Sequence, residues 1–343
     1  YTDIDKPSDY FNTVLYTGNA SASRAITGVG FQPDWVWVKG RSTAYYHALW
    51  DVVRTNKSAL YSNTSDAEDT GTGGTLGSFN SDGFTLPNES GGFVNNNGTT
   101  YASWNWKAGT SVSGNTTGSG TAKTYTGSVN TDAGFSIIKY TGNGTSGHTI
   151  PHNLTQKPAM IIVKNLTGDN WTVYHHKIAS DPATDYIFLN SKAAASDHVG
   201  YWNDTEPTSS VFTVGNDGGT NANNVSLIAY CFAEKQGYSK FGSYTGNGSA
   251  NGPFNYLGFK PAWLVIKRTD STGNWHMFDN KRNPHNVVGQ NLYANITQVE
   301  GTDNTCDFLS NGFKLTASSN SRNGSGNSYI YMAFAENPFV TST

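Results

Sequence analysis

The sequence has few cysteines, few charged residues and no long hydrophobic run. Cys231 and Cys306 are the only cysteines among 343 residues. A disulfide scaffold is therefore excluded, and both thiols are predicted to be free and buried in strand-like apolar segments. Charged residues make up 14% of the chain, against about 25% in an average soluble domain. No apolar run approaches the roughly 20 residues needed to span a bilayer, so membrane insertion is not expected.

A broad basic field is also missing, since 22 Lys and Arg face 25 Asp and Glu and the net charge is −3. The chain therefore lacks the electrostatic footprint of a nucleic-acid-binding protein. What is abundant is Gly, with 38 residues, and aromatic side chains, with 9 Trp, 19 Tyr and 17 Phe. Gly disfavours helix interiors, and so do the numerous Asn, Ser and Thr, which excludes a helical bundle. The aromatic residues supply ample core material, so disorder is not expected.

One pattern occurs three times along the chain. The tetrapeptide YTGN is found at Tyr16–Asn19, Tyr140–Asn143 and Tyr244–Asn247. A proline follows each tyrosine after 17 or 18 residues and begins an apolar run that ends on a lysine six residues later. These runs are Pro33–Lys39, Pro158–Lys164 and Pro261–Lys267. Such spacing predicts three copies of one structural block.

We call residues 1–110 unit 1, residues 125–237 unit 2 and residues 238–343 unit 3. Residues 111–124 are rich in Gly, Ser and Thr and are predicted to be a flexible linker. The recurring segments are short, rich in β-branched and aromatic residues and bounded by Gly, Asn or Asp, which is typical of strands. We therefore predict an all-β protein of three tandem antiparallel β-sandwiches, of jelly-roll or concanavalin-A-like type. Each unit is expected to enclose its own aromatic core.

The recurring lysines Lys39, Lys164 and Lys267 are candidate site residues because all three units contain them. A catalytic site rarely occurs three times in one chain, which favours a structural role. In that interpretation the lysine stem packs over the sheet and the ammonium group pairs with an acid such as Glu234 or Glu336.

Two segments place an aspartate three residues before an arginine, giving the pairs Asp51/Arg54 and Asp279/Arg282. A carboxylate and a guanidinium together can hold sugar hydroxyls. The alternative is an ion pair that fixes a loop to the sheet. Unit 2 has Tyr174–Lys177 at this place, so the pair is not needed for the fold.

Signatures of catalysis and metal binding are weak. His148, His152, His175 and His176 are the best metal candidates, but neighbouring strand residues point to opposite faces and no Cys or carboxylate cluster completes a site. No nucleophile elbow, zinc-protease helix or phosphate loop is present. We predict a non-enzymatic protein without cofactor or metal. A polysaccharide hydrolase or lyase remains an alternative, because distant loops can bring two carboxylates together.

Aromatic residues outside the recurring strands are the candidates for ligand binding. Tyr45, Tyr46 and Trp50 follow the first apolar run, and Trp202 with Asn203 lies in a turn-rich stretch. A ring can stack on the apolar face of a pyranose while a neighbouring amide binds its hydroxyls. The competing interpretation is that these rings fill an interface between units or subunits.

Several long segments resemble a repeated domain in virion proteins of marine tailed bacteriophages, including phages of cyanobacteria. They are GFQPDWVWVKGRS (Gly30–Ser42), SFNSDGFTL (Ser78–Leu86), YASWNWKAG (Tyr101–Gly109), AYCFAEKQGYSKFGSYTGNG (Ala229–Gly248) and FLSNGFKL (Phe308–Leu315). The resemblance covers nearly the whole chain. It implies a tail-fibre, receptor-binding or capsid-associated fibre component with a sandwich fold, and carries no catalytic or ligand motif.

Three functional hypotheses follow. The first is a structural protein of the virion, located on the particle or outside the cell, whose loops bind host-surface polysaccharide. It is expected to form a homo-oligomer, a trimer among the options, and to contact other virion proteins. The second is a purely structural, self-assembling filament or decoration protein without a ligand. The third is the polysaccharide hydrolase or lyase.

Overall fold

The computed structural model describes residues 2–54, 57–71, 74–87 and 92–339. Strands account for 46% of the described residues and helices for 4%. The strands form several antiparallel sheets, which confirms the all-β prediction. Cys231 and Cys306 are buried free thiols, also as predicted. Of the described helices, none has the length and apolar character that crossing a membrane requires.

Unit 1 begins with a short 3-10 helix at Pro7–Asp9 and contains eight described strands and one helix. They are β1 (Phe11–Thr17), β2 (Ala25–Thr27), β3 (Trp35–Gly40), β4 (His47–Asp51), β5 (Leu60–Tyr61), β6 (Ser78–Asn80), β7 (Gly83–Thr85), α1 (Gly92–Asn95) and β8 (Thr100–Trp106). They pair as a main sheet in the order β1-β8-β3-β4-β5 and a small sheet in the order β2-β7-β6.

Unit 2 and the segment before it contain strands β9 to β19 and two helices. They are β9 (Thr110–Asn115), β10 (Thr117–Gly118), β11 (Thr124–Asn130), β12 (Phe135–Thr141), β13 (His148–Pro151), β14 (Met160–Asn165), β15 (Trp171–His175), β16 (Asp185–Phe188), β17 (Ser196–Asp197), α2 (Val199–Trp202), β18 (Val211–Val214), α3 (Gly218–Asn221) and β19 (Ser226–Phe232). The main sheet has the order β17-β16-β15-β14-β19-β12-β11-β9, and the small sheet has the order β10-β13-β18.

Unit 3 contains strands β20 to β27. They are β20 (Ser239–Thr245), β21 (Phe254–Tyr256), β22 (Phe259–Arg268), β23 (Trp275–Asp279), β24 (Val288–Tyr293), β25 (Gly301–Leu309), β26 (Gly312–Leu315) and β27 (Ser328–Pro338). Their order is β20-β27-β22-β23-β24-β25-β26-β21. The first five strands of this sheet correspond in order to the main sheet of unit 1, and the last three continue it without a break.

The segment predicted to be a flexible linker, residues 111–124, is part of the fold. Thr110–Asn115 forms β9, the edge strand of the main sheet, along β11, and Thr117–Gly118 pairs with β13. The prediction used side-chain composition, which indicates only that side chains are exposed to water, and most side chains of β9 are indeed exposed. Backbone hydrogen bonds to β11 do not depend on side-chain polarity, so the composition carried no sign of them.

The central strand of each main sheet is buried on both faces. One face packs against the small sheet of the same unit or, in unit 3, against the last strands of the same continuous sheet. In unit 1, Val36 and Val38 lie in a cluster with Ile26 and Phe84 of the small sheet. The equivalent residues Ile161 and Val163 in unit 2, and Leu264 and Ile266 in unit 3, lie in separate clusters of their own units. Alternation along the strand produces this division, since successive side chains point to opposite faces.

The other face of all three main sheets lies in one shared core. Trp35 contacts Trp106 of its own unit at 4.6 Å between ring centroids and Tyr230 of unit 2 at 4.5 Å. Trp106 contacts Trp263 of unit 3 at 5.2 Å. The expectation that each unit encloses its own aromatic core was therefore wrong in part, because the richest aromatic face of each unit is covered by the other two units.

Candidate functional site

The YTGN tetrapeptides form the same contacts in all three units. The hydroxyl groups of Tyr16, Tyr140 and Tyr244 donate to the backbone carbonyls of Val94, Thr220 and Arg322, respectively. Each motif asparagine also pairs with the asparagine that follows this carbonyl. The pairs are Asn19/Asn95, Asn143/Asn221 and Asn247/Asn323.

In each pair the side-chain oxygen of the second asparagine accepts from the backbone N–H of the motif asparagine, and its side-chain nitrogen donates back. The motif glycine allows this close approach: a Cβ on Gly18 or Gly142 would lie 2.0 or 2.3 Å from a backbone oxygen. YTGN therefore joins the start of each main sheet to a distant loop, which is a structural role.

The recurring lysines donate to backbone carbonyls, and among the described residues none of them forms the expected ion pair with an acid. Lys39 Nζ lies 2.6 Å from the oxygen of Gly40. Lys164 Nζ lies 3.0 Å from the oxygen of Ser65 in unit 1, and Lys267 Nζ lies 2.9 Å from that of Ala193 in unit 2. Glu234 and Glu336 instead pair with Lys240 and Lys260. Burial lowers the pKa of Lys39, Lys164 and Lys267 to about 8.

The two Asp/Arg pairs are buried ion pairs that fix loops. Arg54 Nε lies 2.7 Å from Asp51 Oδ2, and the two side chains are 1% and 0% exposed. Asp51 Oδ1 also accepts from the backbone N–H of Arg54. Asp279 and Arg282 repeat both contacts. Neither pair is accessible to a sugar, so the geometry supports the loop-fixing interpretation.

Two of the residues proposed to stack on a glycan are buried and unavailable. Trp50 is 0% exposed and its Nε1 donates to the carbonyl of Gly74 at 2.8 Å. Trp202 is 2% exposed and lies against Tyr174 in the unit 2 core. Asn203 ends helix α2 in the left-handed conformation, with φ at 54°. Polar neighbours in the sequence indicated loops here, but residues distant in the chain cover the rings.

Tyr46, in contrast, lies at the surface in a group of three rings, and Tyr45, its neighbour in the sequence, is half-buried. Tyr46 is 46% exposed, and its ring centroid lies 5.1 Å from that of Tyr61. Tyr61 in turn contacts Phe93 edge-on at 5.6 Å. The hydroxyl of Tyr45 accepts from the Asn96 amide at 2.6 Å. We call the three contacting rings of Tyr46, Tyr61 and Phe93, together with the adjacent Tyr45, aromatic cluster 1.

A carboxylate borders aromatic cluster 1. The hydroxyl of Tyr61 donates to Asp69, whose other oxygen accepts from the backbone of Gly71. Burial and the hydrogen bond to Asp69 raise the pKa of Tyr61 well above its usual value. An exposed ring beside a fixed carboxylate and an amide can hold a sugar by stacking and by hydrogen bonds.

A second group of rings lies in unit 2. The ring centroids of Tyr186 and Tyr201 are 4.3 Å apart, and Phe188 contacts Tyr201 at 5.9 Å. All three side chains are partly exposed. Phe188 and Tyr61 hold equivalent places, because each lies two residues before an asparagine that binds the start of the neighbouring strand. Asn190 accepts from the backbone N–H of Trp171, and Asn63 accepts from that of His47.

The family relationship covers the same part of the chain as these sheets. Residues 6–338 match the family described as "Domain of unknown function (DUF7483)". The chain belongs to this family. No curated protein and no solved structure matches it. The site residues are therefore assigned from the geometry of this chain.

Sequence reasoning missed Tyr61 and Phe93 as site residues. Tyr61 belongs to the recurring ALYSN segment and was assigned to a structural strand. The signal that could have identified it is that the equivalent residues, Phe188 and Tyr293, are also aromatic while their neighbours vary. As for metals, no three His, Cys, Asp or Glu side chains come together as ligands would within residues 2–54, 57–71, 74–87 and 92–339.

Proposed function

We propose that this chain is a non-enzymatic structural protein of the virion of a marine tailed phage, and that aromatic cluster 1 binds host-surface glycans. The observation that carries the glycan proposal is the exposed ring of Tyr46 packed on Tyr61, whose hydroxyl donates to the Asp69 carboxylate. The virion role and the extracellular location rest on the resemblance of its long sequence segments to phage virion proteins.

The fold proposal is that each unit is a two-layer β-sandwich of jelly-roll or concanavalin-A-like type. Its support is that each main sheet covers a small three-stranded group across a separate hydrophobic cluster. The three sandwiches then meet through their outer aromatic faces. Such an arrangement is stiff, because each main sheet is covered on both sides.

A rigid support suits a binding site that consists of a few rings. Tyr61 is held by Asp69, and Tyr45 by Asn96. Tyr46 therefore presents its ring on neighbours that are already fixed, so binding a sugar costs little ordering of side chains. Aromatic side chains contribute large contact areas for few rotatable bonds.

The test is a glycan-array and calorimetric comparison of the intact chain with Tyr46→Ala. We expect the variant to lose about tenfold or more in affinity, since a ring contact is worth on the order of 1 kcal/mol beyond the buried area. Val199→Ala is the control, because Val199 is 54% exposed and belongs to unit 2, outside aromatic cluster 1 and outside the β21 edge. Equal binding by both variants would contradict the assignment of the site, and release of sugar fragments would favour the hydrolase or lyase instead.

A second candidate function, self-assembly without ligand, has one observation in its favour. Phe254 and Tyr256 are 45% and 60% exposed on β21, which is the last strand of its sheet. An edge strand with exposed rings favours pairing with another copy. Light scattering of the intact chain against Tyr256→Lys tests this, with loss of oligomers expected if the edge carries the contact.

A further inference from the structure

A polar cleft in unit 3 contains buried cationic and hydrogen-bond-donating groups that the fold does not use. Its volume is about 550 Å³, and Asn274, His276, Tyr293, Asp303 and Arg322 line it. Lys192, from a unit 2 loop, also lines it. The cleft therefore lies where two units meet, and both contribute polar side chains.

The guanidinium group of Arg322 is buried beside this cleft and only partly paired. The residue is 4% exposed. Its Nη2 lies 3.2 Å from Asp303, an acid whose side chain is 51% exposed, and its Nη1 donates to His276 Nδ1. Its Nε has no hydrogen-bond partner among the described residues. A buried cation with one solvent-weakened partner attracts a further anion.

His276 adds a second unused donor to the cleft. Its Nδ1 accepts from Asn291 at 3.0 Å and from Arg322 at 3.2 Å. An imidazole that accepts at Nδ1 carries its proton on Nε2. Nε2 has no partner within the described part of the chain, although the residue is only 2% exposed. A buried N–H without an acceptor is costly, and this one remains unpaired in the wall of the cleft.

The arginine at Arg322 and the histidine at His276 are specific to unit 3. The carbonyl that receives the motif tyrosine belongs to Arg322 here, but to Val94 in unit 1 and Thr220 in unit 2. His276 lies opposite Tyr293 in the strand register, where unit 1 has Ala48 opposite Tyr61. The shared fold therefore does not require an arginine or a histidine at this place.

The charges around the cleft are mainly positive. Lys192 contributes an ammonium group on the rim and Arg322 a buried guanidinium group. Asp303 is the one acid among the lining residues that the structure describes. Tyr293 has a partly exposed ring that contacts His276 at 5.0 Å. A ring with cationic donors beside it matches a sugar that carries a negative charge.

We infer that this cleft binds an acidic sugar residue, with its carboxylate or sulfate group near Lys192 on the rim and in the field of the buried Arg322 guanidinium, and with its ring on Tyr293. The Asp303 carboxylate accepts hydrogen bonds from the remaining hydroxyls, and the Asn304 amide can both donate to them and accept from them. The inference rests on the proposed glycan-binding function, but it names a separate site and a class of ligand, an anionic polysaccharide such as a polyuronate.

Calorimetry on the intact chain tests the inference with an oligogalacturonate, a neutral galactose oligosaccharide of equal length and inorganic sulfate. We expect the oligogalacturonate to bind at least about tenfold more tightly than the neutral sugar, and added salt to weaken it. Lys192→Gln and Tyr293→Ala should each lower its affinity about tenfold. Lys192 is exposed, so its variant tests the site without disturbing the core, and Val199→Ala, at an exposed residue outside the cleft, is the control.

Three results would overturn the inference: equal affinity for the neutral sugar, equally tight binding of sulfate alone, or loss of acidic-sugar binding in Tyr46→Ala instead of Tyr293→Ala. Its failure is distinguishable from failure of the proposed function. Neutral glycan binding that depends on Tyr46 would persist if only this cleft were misassigned. Absence of binding to any glycan would refute both.

Discussion

The hydroxyl of Tyr230 donates a 2.8 Å hydrogen bond to the carboxylate of Asp51, 179 residues earlier in the chain. This contact joins unit 2 to unit 1 inside the shared core. An equivalent contact joins unit 1 to unit 3, where Trp104 Nε1 donates to Asp279 at 3.1 Å. A third joins unit 2 to unit 3, where His175 Nε2 lies 3.1 Å from the carbonyl oxygen of Tyr331. The three contacts form a cycle around the core.

Removing the Tyr230 hydroxyl tests the value of one such contact. In Tyr230→Phe the Asp51 carboxylate keeps Arg54 but loses a buried donor, so we expect the free energy of unfolding to fall by about 1–3 kcal/mol. Urea unfolding measures the change. The control is Tyr256→Phe, which alters an exposed hydroxyl. A stability equal to that of the original chain would show that the contact contributes nothing net.

Replacing the buried asparagine that pairs with a YTGN motif should destabilise each unit to a similar degree. Asn221 and Asn323 are both 0% exposed, and the two N–H groups of each side-chain amide are shared among three acceptors within 3.3 Å. Alanine at either position leaves buried carbonyls unpaired, and we expect a loss of about 2–4 kcal/mol in unfolding free energy. Thermal unfolding of the two variants checks this. Unequal losses of unfolding free energy would mean that this asparagine pair differs in role between the units.

Disturbing the shared core should weaken all three units together. Trp35 is 1% exposed and contacts rings of unit 2 as well as its own unit. Trp35→Ala is expected to lower the free energy of unfolding by about 3–5 kcal/mol. Hydrogen exchange should then show reduced protection in β14 and β22 as well as β3. Loss of protection confined to unit 1 would contradict the shared core as the source of stability.

From the three buried lysines we predict that the free energy of unfolding rises with pH above neutrality. Their pKa falls to about 8 in the folded chain, whereas unfolded lysine titrates near pH 10.4. Between these values the unfolded chain binds more protons, so the free energy of unfolding increases with pH. Urea unfolding between about pH 7.5 and 9.5 measures the slope, below the range where unfolded tyrosines ionise.

Lys39→Met is the comparison for that slope. It removes one of the three titrating groups, so the rise in stability with pH should become smaller. Lys57→Met is the control, because Lys57 lies outside the buried set and also donates to a backbone carbonyl. An unchanged slope in Lys39→Met would indicate that the lysine stays protonated throughout this range.

Burial was predictable from the sequence where it depends on the alternation of side chains along one strand. The alternation of Trp35 and Trp37 with Val36 and Val38 indicated a strand covered on both faces, and all four residues are buried. The same local reasoning failed for Trp50 and Trp202. Their polar sequence neighbours indicated loops, but Gly74 and Tyr174, which cover them, are remote in the chain.

By itself, the sequence determined the β class and the three occurrences of YTGN with its spacing, because period-two alternation and turn residues act over a few positions. The tertiary structure decided what covers each face: the small sheet on one side and two other units on the other. It also decided that Tyr61 stands beside Tyr46 and that Arg322 stands beside His276. These neighbours come from sheets folded against one another, and burial depends on the distant segments that arrive there.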